Sequence, residues 1–560
     1  MNPQHTALRV REPMPGVVYP DWADVERYVH GGALTVETLA DGFRQVVERQ
    51  PDRVALAGVG LRMSYRELDE LSTRLAGALL RLGLKPLDRV MYQMGDSPQF
   101  IITFLACIKS GLIPVCTLAA HREREIGYLA QLSEARLHVV QGDDPKFDDV
   151  AFARKMQEAA PTLEFIMQVR GQPREGAVHL AALSDSITLA EARALVSKVE
   201  LDPFQVAVFQ LSGGTTGVPK IIPRLHSEYL YNMRATARWL GYTSDDVLFM
   251  PQPLVHNLNM ACCFGPFLMT GGTVTIARNL QPESLIALIK DTRPTWLLLG
   301  GPIIARLETA IASGEIDFSQ ARGIITASGA RKLRQLLGMP VYAIFGMTEG
   351  VITFVRPGDP IDAQDLTNGR PVSEFDEIRI LKPGTEEPVA QGETGEPSFK
   401  GPYTIRGYYK AEERNKDAFT SDGRYRSGDL MYERVIEGRT YYVFCGRIKD
   451  LVSRGGEKIN CEEVETAVAG HPAVAAVATV PYPDPVFDER LCAVLILRKG
   501  STTPSVAELG RYLESYGLAK FKWPERIEVV PTFPLTASGK LNKASLKDYV
   551  RERLQGAPLT

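Results

Sequence analysis

Two hydrophobic periods alternate through the first part of the chain. Ser64 is followed three residues later by Glu67, a pairing in which each side chain caps the other's backbone at a helix start. Leu68, Leu71, Leu75, Leu79 and Leu82 then recur at three- and four-residue steps, so they share one helical face, and Gly83 stops the helix. Residues 89–94 predict a strand. Ser97-Pro98 predicts the start of a helix that runs to Gly111. A second strand is expected over 112–117, a helix over 125–133 and a third strand over 137–141. Strand–helix–strand repetition with short links implies a parallel sheet covered by helices, with ligand sites beyond the carboxyl ends of its strands. The stretch 142–201 reads as looser and more helical. After about Gly446 the pattern changes: strands over 473–480 and 491–497, with helices over 462–469 and 506–516, predict a compact α+β unit. The polar junction Gly446-Arg447-Ile448-Lys449-Asp450 reads as a hinge. The expected class is α/β: a large N-terminal domain of helix-covered, mainly parallel sheets over 1–449, and a small mobile α+β domain over 450–560.

Composition narrows the function classes. A chain of 560 residues exceeds one domain at roughly 150 residues each. Lys+Arg 64 against Asp+Glu 67 leaves a net charge of −3, so no global positive field attracts nucleic acid. The longest apolar runs, 100–108 and 296–305, are about half of the roughly 18 residues that a bilayer span needs. Residues 1–16 lack the apolar core of a secretory signal. Seven cysteines, an odd number without a C-x-x-C pair, argue against a disulfide framework and a zinc site. A cytoplasmic protein with neither a membrane nor a nucleic-acid partner is expected.

The apolar strand 206–211 runs into Ser212-Gly213-Gly214-Thr215-Thr216-Gly217-Val218-Pro219-Lys220. Three glycines let backbone N–H groups approach oxygens, three hydroxyls donate, and the lysine adds charge, which together suit a polyphosphate. The order differs from the G-x-x-x-x-G-K-[ST] loop of the common NTPases.

This segment resembles the phosphate loop of the adenylate-forming superfamily, which includes acyl-CoA synthetases, luciferases and peptide-synthetase adenylation domains. Further motifs follow in the family's order: Phe345-Gly346-Met347-Thr348-Glu349-Gly350, Tyr425-Arg426-Ser427-Gly428-Asp429, Gly446-Arg447-Ile448-Lys449-Asp450, Arg454-Gly455-Gly456-Glu457-Lys458, and Pro534-Leu535-Thr536-Ala537-Ser538-Gly539-Lys540. The resemblance implies ATP and Mg²⁺, with Glu349 as the metal ligand and Thr348 as a phosphate contact. Phe345 and Gly346, with Gly329 and Ala330, would lie against the nucleoside. Asp429 would hold both ribose hydroxyls, and Arg447 the ribose or phosphate. Lys540 would bridge the substrate carboxylate and the α-phosphate. Asp450 would be the hinge about which the small domain rotates, withdrawing Lys540 and bringing up the segment that ends at Lys458.

Within the superfamily, the stretches Gln210–Lys220 continuing into Ile222-Pro223-Arg224, then Pro253-Leu254-Val255-His256-Asn257, Thr367-Asn368-Gly369-Arg370-Pro371 and Gly401 through Tyr409 are most similar to stand-alone aryl acid–AMP ligases, such as 2,3-dihydroxybenzoate–AMP ligases. Asn257 matches the residue that bonds the ortho hydroxyl of the acid, and His256 one beside the thiol tunnel. Leu258, Ile344, Gly350 and Ile352 complete the implied pocket. Members usually read His-Asn-Tyr-Pro-Leu-Ser-Ser where this chain reads His256-Asn257-Leu258-Asn259-Met260-Ala261-Cys262. Cys262 resembles the salicylate-activating members, and Ser328 replaces the first glycine of a usual Gly-Gly-Ala. Salicylate or an amino- or hydroxy-substituted benzoate is therefore expected. The acceptor would be the phosphopantetheine arm of a separate carrier protein in siderophore or other nonribosomal natural-product biosynthesis. Coenzyme A is the alternative acceptor, and a non-catalytic homologue the third reading.

Overall fold

The computed structural model describes residues 8–212, 219–327, 329–454, 457–536 and 539–555. The expected strand–helix alternation is present. Ser64 accepts from the Glu67 backbone, and Glu67 caps in return, at the head of helix Tyr65–Leu82; Gly83 ends it at φ 107°. Ser97 caps helix Pro98–Ser110, and every residue from Phe100 to Ser110 is buried. A helix buried on all sides carries apolar residues all round, which is why its sequence reads as a continuous run.

Two large sheets make the body of the molecule. One has seven strands in the order Val178–His179, Phe165–Gln168, Leu137–Val140, Arg89–Gln93, Ile113–Val115, Val206–Leu211 and Ile221–Leu225. All pair in parallel except the last, which returns antiparallel to Val206–Leu211. The other has nine strands. Its parallel centre runs through Val341–Met347, Gly323–Thr326, Trp296–Leu298, Val247–Phe249, Thr273–Thr275 and Val54–Gly58. One apolar core serves both sheets, joining Val90, Tyr92 and Val139 to Leu248, Trp296 and Val341.

The run 142–201 is more ordered than expected. Phe165–Gln168 and Val178–His179 extend the seven-stranded sheet in parallel. A four-residue edge-side strand carries too few residues to display a period of two. The run 100–108 lies inside one helix, whereas 296–305 divides between strand Trp296–Leu298 and helix Gly301–Ala312. Among the described residues, no helix is long and apolar enough to cross a membrane. All seven cysteines are free, six of them buried.

Beyond the hairpin Asp429–Ile436/Arg439–Arg447, the chain forms a five-stranded sheet with helices Cys461–Ala469, Val506–Ser515 and Lys543–Gln555. Its two apolar clusters draw only on residues after Leu451. This part therefore closes its own core, as an α+β unit should. The hydrophobic pattern carries no sign of the final helix, the hairpin Leu451–Arg454/Glu457–Asn460 or the parallel strand Arg526–Val529. The helix is strongly polar, and the strands are four residues each.

Candidate active site

Strand Val206–Leu211 delivers Ser212 to the cleft. Ser212 Oγ accepts from the Lys220 backbone at 3.1 Å, and Ser212 N donates to the Lys220 carbonyl at 3.0 Å. These bonds close the neck of the glycine-rich loop. Gly213, Gly214, Thr215, Thr216 and Gly217 lie outside the described residues, as does Ser328.

Thr348 and Glu349 occupy the turn between antiparallel strands Val341–Met347 and Gly350–Phe354. The turn is pinned from both sides. Arg224 Nη1 donates to the Thr348 carbonyl at 2.8 Å, and Ile405 N donates to the Glu349 carbonyl at 2.8 Å. Gly350 is required by closeness: a Cβ there would sit 2.8 Å from Thr404 Cα. The Glu349 side chain is buried and accepts from the Tyr408 hydroxyl at 2.8 Å; that hydroxyl also lies 3.0 Å from the Tyr425 hydroxyl. Lys220 Nζ stands 4.5 Å from the centre of the Tyr408 ring. Burial and the positive Arg414 pull the Lys220 pKa down, against the opposing pull of Glu349. One tyrosine thus gathers the loop lysine and the acidic residue of the next motif.

Phe345 is half-buried, with its ring stacked on Phe444 at 5.3 Å and 29°. Gly346 beside it is exposed and adds no side chain, which leaves room for a flat ring. Gly329 takes φ 71° as the N-cap of helix Ala330–Leu337. Asp429 and Arg447 face each other in register across their hairpin, with an ion pair at 3.4 Å. Burial raises the Asp429 pKa to about 7; Arg447 opposes the rise and the negative Glu349 adds to it.

The other wall starts at strand Val247–Phe249. Beyond it, Leu254 N donates to Asp96 Oδ1 at 2.8 Å and fixes the loop that carries His256, Asn257 and Leu258, all half-buried. Asn259 Nδ2 donates to the Pro253 carbonyl at 2.7 Å, and Asn259–Cys263 form a single π-helical turn. Such turns often re-aim side chains at functional sites. Asn257 Oδ1 accepts from the Tyr229 hydroxyl at 2.8 Å. Cys262 is fully buried, and burial pushes its thiol up to about 12. Ile344 and Ile352 are buried on the strand pair that also carries Phe345. Burial, then the positive Lys540, then His121 push His256 down to about 4, which leaves a neutral imidazole at physiological pH.

Lys540 arrives from the far end of the chain. It sits in a tight turn: Thr536 N donates to the Lys540 carbonyl at 2.7 Å, and Lys540 N to Thr536 Oγ1 at 3.2 Å. The residue is exposed as a whole, yet burial by the surrounding protein and the positive Arg447 pull its pKa down, against Glu349 and Asp429. His256 also feels the Lys540 charge, so the lysine lies within electrostatic reach of both walls. Arg454, by contrast, is tied to Glu525 at 2.8 Å and lies over the Phe487 ring at 4.4 Å, inside the terminal unit. Lys458 is described only as strand backbone. Asp450 ends the 3₁₀ turn Ile448–Asp450 that separates Arg447 from the terminal sheet.

The structure adds residues that the motifs did not single out for a role: Tyr408 and Tyr425 behind Glu349, Arg224 behind Thr348, and Tyr229 with Gln210 behind Asn257. All of these but Tyr229 fall inside stretches that carry the family likeness, but a contact made through the fold has no spacing signature. Among the described residues, no three His, Cys, Asp or Glu side chains gather as a metal cage.

This arrangement of a phosphate loop, an acidic turn, a ribose-side carboxylate and a distant lysine has relatives. Residues 43–409 match the AMP-binding enzyme family, and residues 463–540 match the AMP-binding enzyme C-terminal domain. A Streptomyces protein named salicylyl-CoA synthase / salicylate adenylyltransferase is 36% identical over 94% of this chain and 96% of its own length. A Mycobacterium tuberculosis protein named salicyl-AMP ligase / salicyl-S-ArCP synthetase is 35% identical over 93% of this chain and 92% of its own. The apo structure of MbtA from Mycobacterium smegmatis superposes with a TM-score of 0.72 at 31% identity, covering 95% of this chain and 98% of that one. The chain belongs to the AMP-binding enzyme family and is an ATP-using, adenylate-forming ligase.

Proposed function

We propose that the chain activates a salicylate-like benzoate as its aryl-AMP and then passes the aryl group to the phosphopantetheine thiol of a separate carrier protein. The observation that carries this reading is that the charge of Lys540, from the terminal unit, acts on His256 and is itself acted on by Glu349, Asp429 and Arg447. In the first step, a carboxylate oxygen attacks the α-phosphorus of ATP, the bond to the β-phosphate oxygen breaks, and pyrophosphate leaves. Both reactants are anions, so catalysis consists of positioning and charge neutralisation. Lys540 and Lys220 supply positive charge, Asp429 accepts two ribose hydroxyls, Phe345 packs on the base, and Asn257 reads the ortho substituent. A buried carboxylate with tyrosine support fits Mg²⁺, which keeps waters and phosphate oxygens and needs only one or two protein ligands. Glu349 would hold it, and the ion would offset phosphate charge.

In the second step, the thiol sulfur attacks the acyl carbon, the bond to AMP oxygen breaks, and the thiol proton passes to solvent. Rotation about Asp450 would exchange Lys540 for the segment ending at Lys458, which fits Arg454 being tied to Glu525 and Phe487 while Lys540 feels Glu349 and Asp429. Relatives named for CoA and for a carrier both exist, so coenzyme A is the second reading of the acceptor.

Acid-dependent ATP–pyrophosphate exchange with a panel of benzoates tests the first step. Exchange stimulated by 2-hydroxybenzoate is expected; stimulation by long-chain fatty acids alone would overturn the aryl assignment. Loading of a phosphopantetheinylated carrier against free coenzyme A decides the acceptor.

A further inference from the structure

The hydrogen-bond chain behind Asn257 runs in one direction. Gln210 Nε2 lies 3.3 Å from the Met260 sulfur and 3.4 Å from the Tyr229 oxygen. Both neighbours offer lone pairs, so the nitrogen end of the amide belongs there. A tyrosine hydroxyl has a single proton. With Gln210 donating to its oxygen, that proton goes to Asn257 Oδ1, 2.8 Å away. The Asn257 amide is thereby turned with its oxygen inward, and the two Nδ2 hydrogens are what it offers the cleft. A half-turn of the amide would bring NH₂ against the same hydroxyl and strand the proton of a fully buried tyrosine. The ring cannot easily retreat, because the Arg224 guanidinium lies 4.9 Å from its centre, held by Glu228 at 3.0 Å and by the Thr348 carbonyl at 2.8 Å.

We propose that Tyr229 is a specificity-determining positioning residue: by holding Asn257 as a donor, it makes the site select an ortho substituent that accepts a hydrogen bond over one that donates. The proposal rests on the aryl-acid reading of the site. In 2-hydroxybenzoate, the phenolic proton bonds internally to the acid's own carboxylate, and the oxygen turns a lone pair outward. In 2-aminobenzoate, one N–H bonds internally, the second points outward, and the nitrogen lone pair is shared with the ring. Asn257 Nδ2–H then meets N–H, a donor facing a donor, and neither finds a partner. Two unpaired donors in a closed pocket correspond to discrimination of about ten- to a hundredfold.

Pyrophosphate exchange on the full chain with 2-hydroxybenzoate, 2-aminobenzoate and unsubstituted benzoate tests this. For the unaltered protein, kcat/KM is expected to favour the hydroxy acid by at least about tenfold. Tyr229→Phe releases the amide, so the ratio should fall by about tenfold while benzoate changes by less than about threefold. In an Asn257→Ala background, Tyr229→Phe should leave the ratio unmoved, because the reader is gone. Gln210→Met, which keeps the hydroxyl but removes its donor, should shift the ratio in the same direction by less, and it serves where Tyr229→Phe fails to fold. An unchanged ratio with equal loss for all three acids overturns the proposal, as does a native preference for 2-aminobenzoate. Absence of exchange with every benzoate instead strikes the aryl-acid reading itself.

Discussion

On the nucleotide side of the cleft, Lys220, Glu349, Asp429, Arg447 and Lys540 are charged and sit at strand ends and turns; Glu349 bears on the pKa of Lys220, Asp429 and Lys540, and Arg447 on those of Asp429 and Lys540. On the aryl side, Gln210, Tyr229, Asn257 and Cys262 are neutral and backed by the core shared by both large sheets. The difference follows from what each wall must hold. Phosphates need charge that can be approached from solvent and covered by a moving part. A benzoate ring needs a dry, fixed wall whose few polar atoms face one way, because a buried polar group without a partner is costly.

The largest effects should come from breaking the charged wall. Lys540→Ala is expected to slow adenylation by about 10²–10³-fold, the usual cost of removing one preorganised group from a developing negative charge. Glu349→Gln should lower kcat by a similar factor of about 10² and raise the Mg²⁺ concentration needed for half-maximal rate, while Tyr408→Phe reproduces the direction at about tenfold. A titration of rate against Mg²⁺ separates the two.

A smaller effect should appear in pH. In the proposed role Asp429 accepts two ribose hydroxyls as a carboxylate, and burial raises its pKa to about 7. Nucleotide binding should therefore be full above that value and weaken as pH falls through it. KM for ATP measured from pH 8 to pH 6 should rise, and Asp429→Asn should raise KM about tenfold at pH 8 and flatten the profile. The smallest effect belongs to the neutral wall. Cys262→Ser adds a buried hydroxyl of nearly the same volume, so stability should drop by about 1 kcal/mol in a denaturant titration, with 2-hydroxybenzoate activity changed by a few-fold at most.

The two walls also differ in how far they could be read beforehand. The charged wall is built from short contiguous motifs, so Glu349, Asp429, Arg447 and Lys540 stand out in order along the chain. The neutral wall is assembled from strand Val206–Leu211, helix His226–Leu240 and the Asn259–Cys263 turn. Gln210, Tyr229 and Asn257 meet only because those elements pack together, and no local period announces the meeting. The fold shows the same division. The capped helices Tyr65–Leu82 and Pro98–Ser110 were legible from Ser64, Glu67, Ser97 and the glycines that end them. Phe165–Gln168 was not, since its strand character comes from pairing with Leu137–Val140.

The central claim is that the terminal unit lends Lys540 to adenylation alone. It is tested most directly by giving Lys540→Ala protein the two half-reactions separately: acid-dependent pyrophosphate exchange, and thioester formation from preformed aryl-AMP. The account predicts a loss of at least about 10²-fold in the first and less than about threefold in the second. Equal loss in both would contradict it.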